Sequence, residues 1–190
     1  MTAKTETGGE TKALRQVQRA LERGEIHEGN LSARGIAALL GQTTSVIYHR
    51  WGSLDGLLFA VATLGWTDLA NALGTGEGEG SRVKRMAETY VTFALDRPAL
   101  YRLMTDYPFD RDALRAGGVT SRRPSPLRVA KLFMASFEKR GGEEPELDAH
   151  LFHAGLHGLV TASPLATDRE AALRAARRLT RKLAGKSAVA

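Results

Sequence analysis

Leu31-Ser-Ala-Arg-Gly-Ile-Ala-Ala-Leu-Leu-Gly-Gln-Thr-Thr-Ser-Val-Ile-Tyr-His-Arg-Trp51 is the stretch whose reading decides the fold. Ala33, Ile36, Ala37 and Leu40 recur at i, i+3, i+4 and i+7, the apolar stripe of a short helix. Ser32 stands where its N-cap belongs, and Gly41 ends it. Thr43 starts a second short helix that runs to Trp51, so only Gly41-Gln42 separates the two. This is the spacing of a helix-turn-helix, whose second member can enter a major groove. At about 100° per residue, Thr44, Ser45, Tyr48 and His49 share one polar arc. Val46, Ile47 and Trp51 lie opposite and can pack on Ile36, Leu40 and the next helix. Arg50 falls on the apolar side, so its head must reach out along its stem or pair.

Such an arc suits DNA. Hydroxyls and imidazole reach phosphate oxygens or base edges, and small residues permit close approach. With Thr43 at the cap, the first amides of the helix can face a phosphate. Arg34, on the outer side of its helix, can reach the backbone or a neighbouring groove. Two short helices packed in a plain bundle would give the same shape.

Outward from this core, helical periodicity dominates and no alternating strand is evident, so an all-α fold is expected. A polar tail, residues 1–10, precedes a helix from about Thr11 to Arg23 with Leu14, Val17 and Leu21 on one face and Gly24 as its stop. Ser53 caps a fourth helix reaching about Leu73, with Asp55 in its first turn, where the helix dipole favours a carboxylate. Gly74-Thr-Gly-Glu-Gly-Glu-Gly80 reads as a flexible connector. Further helices are expected at about Arg82–Asp96, Pro98–Met104, Pro126–Arg140, Glu146–Ala162 and Asp168–Ala184, with a loop from Gly117 to Pro126. The expected organisation is a domain over 11–58, whose last helix continues to about 73, a connector over 74–81, a second domain over 82–184 and a tail over 185–190.

Composition narrows the functions. The 190 residues contain no cysteine, which removes disulfides, zinc–thiolate sites, iron–sulfur clusters and thiol nucleophiles. There is no signal-peptide pattern and no uninterrupted run of about 18 apolar residues, so a cytoplasmic protein without a membrane span is expected. The net charge of +6 invites a polyanion, yet residues 1–65 hold seven basic against six acidic side chains. The case for DNA therefore rests on the pattern. No Ser/His/Asp frame, phosphate loop or paired carboxylates point to catalysis, and no cofactor is expected.

The quoted residues, continued by Gly52-Ser-Leu-Asp-Gly-Leu-Leu58, resemble the N-terminal domain of the tetracycline-repressor (TetR/AcrR) family of bacterial transcriptional regulators. Arg34, Ile36-Ala37, Gly41, Tyr48, Trp51, Ser53 and Leu57-Leu58 carry the resemblance. It implies phosphate contacts from Ser32, Thr43 and Tyr48, and base or groove contacts from Arg34, Gln42, Thr44 and His49, with Ser45 and Val46 near the groove floor. Many members have Lys at the position of Leu54, where it meets a phosphate. This chain lacks that contact, so it should show a shallower salt dependence or compensate through Arg34, Arg50 or the tail.

Tyr90-Val-Thr-Phe-Ala-Leu-Asp-Arg-Pro-Ala-Leu-Tyr-Arg-Leu-Met104 and His157-Gly-Leu159 are similar to the ligand-domain class of that family called WHG, although the aromatic before His-Gly is displaced. The resemblance implies a homodimer bound to double-stranded DNA and built on the last two helices. Leu151, Ala154, Gly155, Gly158 and Leu159 are the candidate contacts on one helix, Ala176, Leu179 and Leu183 on the other. An intrachain core explains the same stripes. It also implies a cavity for a small apolar or aromatic effector, with Tyr90, Phe93, Tyr101, Met104, Phe133, Phe137, Phe152, His153 and His157 as candidate walls, although aromatics at this spacing are commonly core. His150, His153 and His157 share a helix face but have no carboxylate at ligand spacing, so a pocket or interface role is preferred to metal. The basic run Arg174, Arg177, Arg178, Arg181 and Lys182 reads as a solvated helix face. A ligand-responsive regulator is the leading expectation; a constitutive DNA-binding protein and a helical interaction module are the alternatives.

Overall fold

The computed structural model describes residues 8–27, 31–75, 82–119, 121, 124–141, 143–161 and 167–184. Most of the connector and of the two tails lies outside these. The described residues form helices and no strand, in agreement with the all-α expectation. In order these are α1 (Gly8–Glu22), α2 (Ala33–Leu39), α3 (Thr44–Trp51), α4 (Leu54–Gly74), α5 (Arg82–Asp96), α6 (Pro98–Thr105), α7 (Arg111–Ala116), α8 (Leu127–Glu138), α9 (Pro145–Thr161) and α10 (Arg169–Ala184).

They form two compact units, and the division differs from the expected one. The first comprises Met1–Gly65 and Pro98–Pro124, the second Trp66–Arg97 and Ser125–Ala190. The boundary thus falls inside α4, and α6 and α7 join the N-terminal helices instead of the C-terminal domain. The physical reasons are the packing of α6 on α1 and, for α7, a polar seam within the first unit. Ser53 Oγ accepts from the Gly56 N–H (2.9 Å), capping α4, and donates to the Ala113 carbonyl in α7 (3.1 Å). Asp55 accepts from the Tyr107 hydroxyl (3.3 Å) and from the Asp110 N–H. Asp110 in turn caps α7 by accepting from the N–H groups of Asp112 and Ala113.

The core of this unit follows the sequence stripes. Leu14, Val17, Ile36, Ile47, Leu57, Leu58 and Leu100 are buried, and α1 packs on α6. Gln16 Nε2 donates to the Leu39 carbonyl (2.7 Å), tying α1 to the end of α2. Tyr101 and Met104, candidates for an effector cavity, are instead core residues of this unit; a Cβ on Gly65 would stand 2.7 Å from the Met104 sulfur.

In the second unit α5 packs against α8, α9 and α10, and α9 against α8 and α10. Gly155 permits the α9–α10 approach, since a Cβ there would sit 2.7 Å from Leu179 Cδ2. The buried stripe of α10 is Ala172, Ala176 and Thr180. Ala176, a candidate dimer contact, is fully enclosed by its own subunit and so belongs to the core.

α4 has 21 residues and is long and apolar enough, by length and composition, to cross a membrane, although no uninterrupted apolar run marks it in the sequence. It carries Asp55 and Asp68, and 56% of its most apolar stretch is buried inside the protein.

Ser53→Ala removes both the cap of α4 and the bond to α7. A loss of about 1–2 kcal/mol is expected in urea unfolding. An unchanged midpoint would mean that the seam contributes nothing in solution.

Candidate nucleic-acid interface

The turn is built as a helix-turn-helix requires. Ser32, extended at φ −148°, caps α2 by accepting from the Gly35 N–H (3.1 Å). Gly41 takes φ +62°, a region that costs an L side chain strain, and the Gln42 N–H closes the turn onto the Ala37 carbonyl (2.9 Å). Thr43 holds the N-cap position of α3 but its hydroxyl makes no capping bond, which leaves that oxygen for an external partner.

Along α3, Ile47 and Trp51 are buried while Ser45, Tyr48, His49 and Arg50 are exposed, Tyr48 to 53%. Thr44 and Val46 are half-buried at the margins of the arc. Arg50 therefore reaches solvent from the side that periodicity assigned to the interior. Ser32 and Arg34 are also exposed. Gln42 is half-buried, with its Oε1 enclosed and without a hydrogen-bond partner, so any groove contact falls to the rest of its side chain.

The second unit holds an aromatic cluster. Tyr90, Phe133 and Phe152 are fully buried, and Phe133 stands edge-on to Phe152 with centroids 5.1 Å apart. Phe137 meets Phe152 at 5.5 Å, and His153 lies edge-on to Tyr90 at 5.5 Å. A hydrogen bond joins His153 Nε2 and the Tyr90 hydroxyl (3.0 Å). Trp66, absent from the sequence candidates, also lies edge-on to His153 at 6.2 Å, on the buried side of α4. Its place in a long apolar helix gave no periodic signal to single it out. Phe93 is buried beneath the guanidinium of Arg97 (4.9 Å), and His157 is half-buried. His150 is exposed and its Nδ1–H donates to the Glu146 carbonyl (2.8 Å).

Burial, then the charges of His157 and His150, push His153 down to about 4 from 6.5, so its ring is neutral at neutral pH. In the first unit, burial and then Asp55 push the Tyr107 hydroxyl up to about 12, which keeps it a donor to Asp55.

A short helix locked by two buried side chains, with a polar and cationic face turned outward, defines a helix-turn-helix protein with a separate helical unit. Residues 83–176 match the family model of the tetracyclin repressor-like C-terminal domain. Over these residues the chain is a C-terminal domain of the TetR family of transcriptional regulators. Among solved structures it is similar to a protein from Mesorhizobium loti assigned to that family, with TM-score 0.62, 16% identity, and coverage of 95% of this chain and 98% of the other. That likeness carries the fold. No curated protein sequence matches the chain significantly.

The depressed pKa of His153 has a consequence for stability. Protonation favours the unfolded chain, so the contribution is intact above about pH 6.5 and is lost as pH falls towards 4. At about 1.4 kcal/mol per pH unit its ceiling is about 3 kcal/mol. Stability–pH curves should be flatter for His153→Phe over this window; parallel curves would contradict the burial of a neutral ring.

Proposed function

We propose that the chain is a cytoplasmic, non-enzymatic transcriptional regulator that binds a pseudo-palindromic operator as a homodimer and is released by a small apolar or aromatic effector. The observation that carries the reading is the face of α3: Ser45, Tyr48, His49 and Arg50 exposed over buried Ile47 and Trp51. A bare packing helix has no need of a large aromatic held half in water beside a histidine and an arginine. Ser32, Arg34, Thr43 and Thr44 flank this face and would complete the phosphate and groove contacts.

Dimerisation is supported by α9, where Leu147, Leu151 and Ala154 are exposed at i, i+4 and i+7, with the two leucines 49% and 50% accessible. Gly158 and Leu159 continue that helix half-buried, and Leu183 lies half-buried on α10. The effector reading is supported by the cluster around His153, which offers apolar walls with one polar pair, Tyr90 and His153. Coupling between effector and operator is typically 1–3 kcal/mol, about 5–150-fold in affinity. Occlusion of polymerase at the operator would make the protein a repressor. The full burial of Tyr90, Phe133 and Phe152 favours one second reading, a constitutive regulator whose core is packed without a ligand.

Footprinting on DNA flanking the gene, at about physiological salt, tests the proposal. The expected result is protection of two half-sites about 34 Å apart, weakened roughly tenfold or more in Tyr48→Ala. Uniform weak binding that the substitution leaves unchanged would overturn it.

A further inference from the structure

The first unit contains a cleft of about 140 Å³ between the end of α1 and α6, and no candidate wall of the effector cavity lines it. Leu21, Ile26, Leu31 and Leu103 supply apolar walls, Arg102 and Asp106 supply charge, and His27 adds an imidazole. We propose that this cleft binds a small monocarboxylic acid whose apolar body is a single ring or a short branched chain.

Three observations fix that chemistry. The volume is close to that of a protein cavity of about 150 Å³ that takes up benzene, so one ring fills it. Arg102 is exposed and forms no ion pair among the described residues, so its planar fork is open to a carboxylate. Asp106, one helical turn further on, disfavours a second negative charge. Tyr107 also lines the cleft, but its hydroxyl is committed to Asp55 and stays protonated, which makes it a neutral wall.

The site adjoins both ends of the DNA-reading motif. Leu31 immediately precedes Ser32, the cap of α2, and Tyr107 holds Asp55 in the first turn of α4. An occupant braces these two walls, so the carboxylic acid stabilises the helix-turn-helix whether or not α3 reads DNA.

The test is a titration of the full-length chain with benzoate, followed by the methyl NMR signals of Leu21, Ile26, Leu31 and Leu103. Saturable shifts are expected from benzoate, and weaker ones at equal concentration from benzylamine, whose ammonium meets Asp106 but is repelled by Arg102. Arg102→Gln should weaken benzoate about two- to fivefold, as loss of a solvent-exposed ion pair does. Ala99→Leu, which fills the cleft, should abolish binding. Absence of saturable shifts, equal shifts from benzylamine, or unchanged affinity in Arg102→Gln would each overturn the proposal. Arg102 is exposed, so that variant decides the matter even if Ala99→Leu unfolds the unit.

Discussion

The carbonyl of Trp51 is approached by chain that carries no side chain, and the DNA-reading unit depends on that. A Cβ on Gly56 would lie 2.0 Å from this oxygen, one on Gly117 2.6 Å from it, and one on Gly52 2.1 Å from the Gly117 Cα. Contacts this short are closed to any side chain, and backbone atoms cannot swing away as a flexible side chain can. Gly52 also takes φ +74°, where its N–H still reaches the Tyr48 carbonyl (2.9 Å). The end of α3, the start of α4 and the end of α7 can therefore meet at one point. Ser53 and Asp55 fasten the junction with hydrogen bonds that cross it. The recognition helix is held from beneath by Ile47 and Trp51 and from its C-terminal end by α7.

Much of this was legible in the sequence, because short-range chemistry fixes it. Ser32, Gly41 and the 3.6-residue stripe define α2, and the buried pair Ile47 and Trp51 follows from the same period. What escaped is long-range. α7 has six residues, too few to show a period, and its one local signal is Asp110 at the N-cap. Its partners lie 55 and 60 positions away in the chain, at Asp55 and Ser53. Long-range contacts of α6, with α1 and at Gly65, carry Tyr101 and Met104 into the first unit, although their apolar spacing matches that of a cavity wall equally well. Ala176 failed as a surface candidate for a related reason: a stripe of small residues specifies close approach, and here the neighbours are helices of the same chain.

The second unit shows how one polar pair behaves in an apolar setting. Tyr90 is fully buried, so its hydroxyl needs a partner, and neutral His153 supplies one without bringing a charge into the core. The aromatic rings around this pair pack edge-on, so the hydrogen bond sits inside an otherwise apolar cluster. On α9, by contrast, Leu147 and Leu151 remain half in water. That exposed apolar face is the feature on which the proposed dimerisation rests.

Leu54, half-exposed as the first residue of α4, gives the most direct test that this junction lies on DNA. If α3 and the start of α4 face the phosphate backbone, Leu54→Lys adds one cation at a phosphate. A plot of log affinity against log salt should then steepen by about 0.9 per subunit relative to the wild type. Identical slopes would contradict the account, because the start of α4 would then lie away from the backbone.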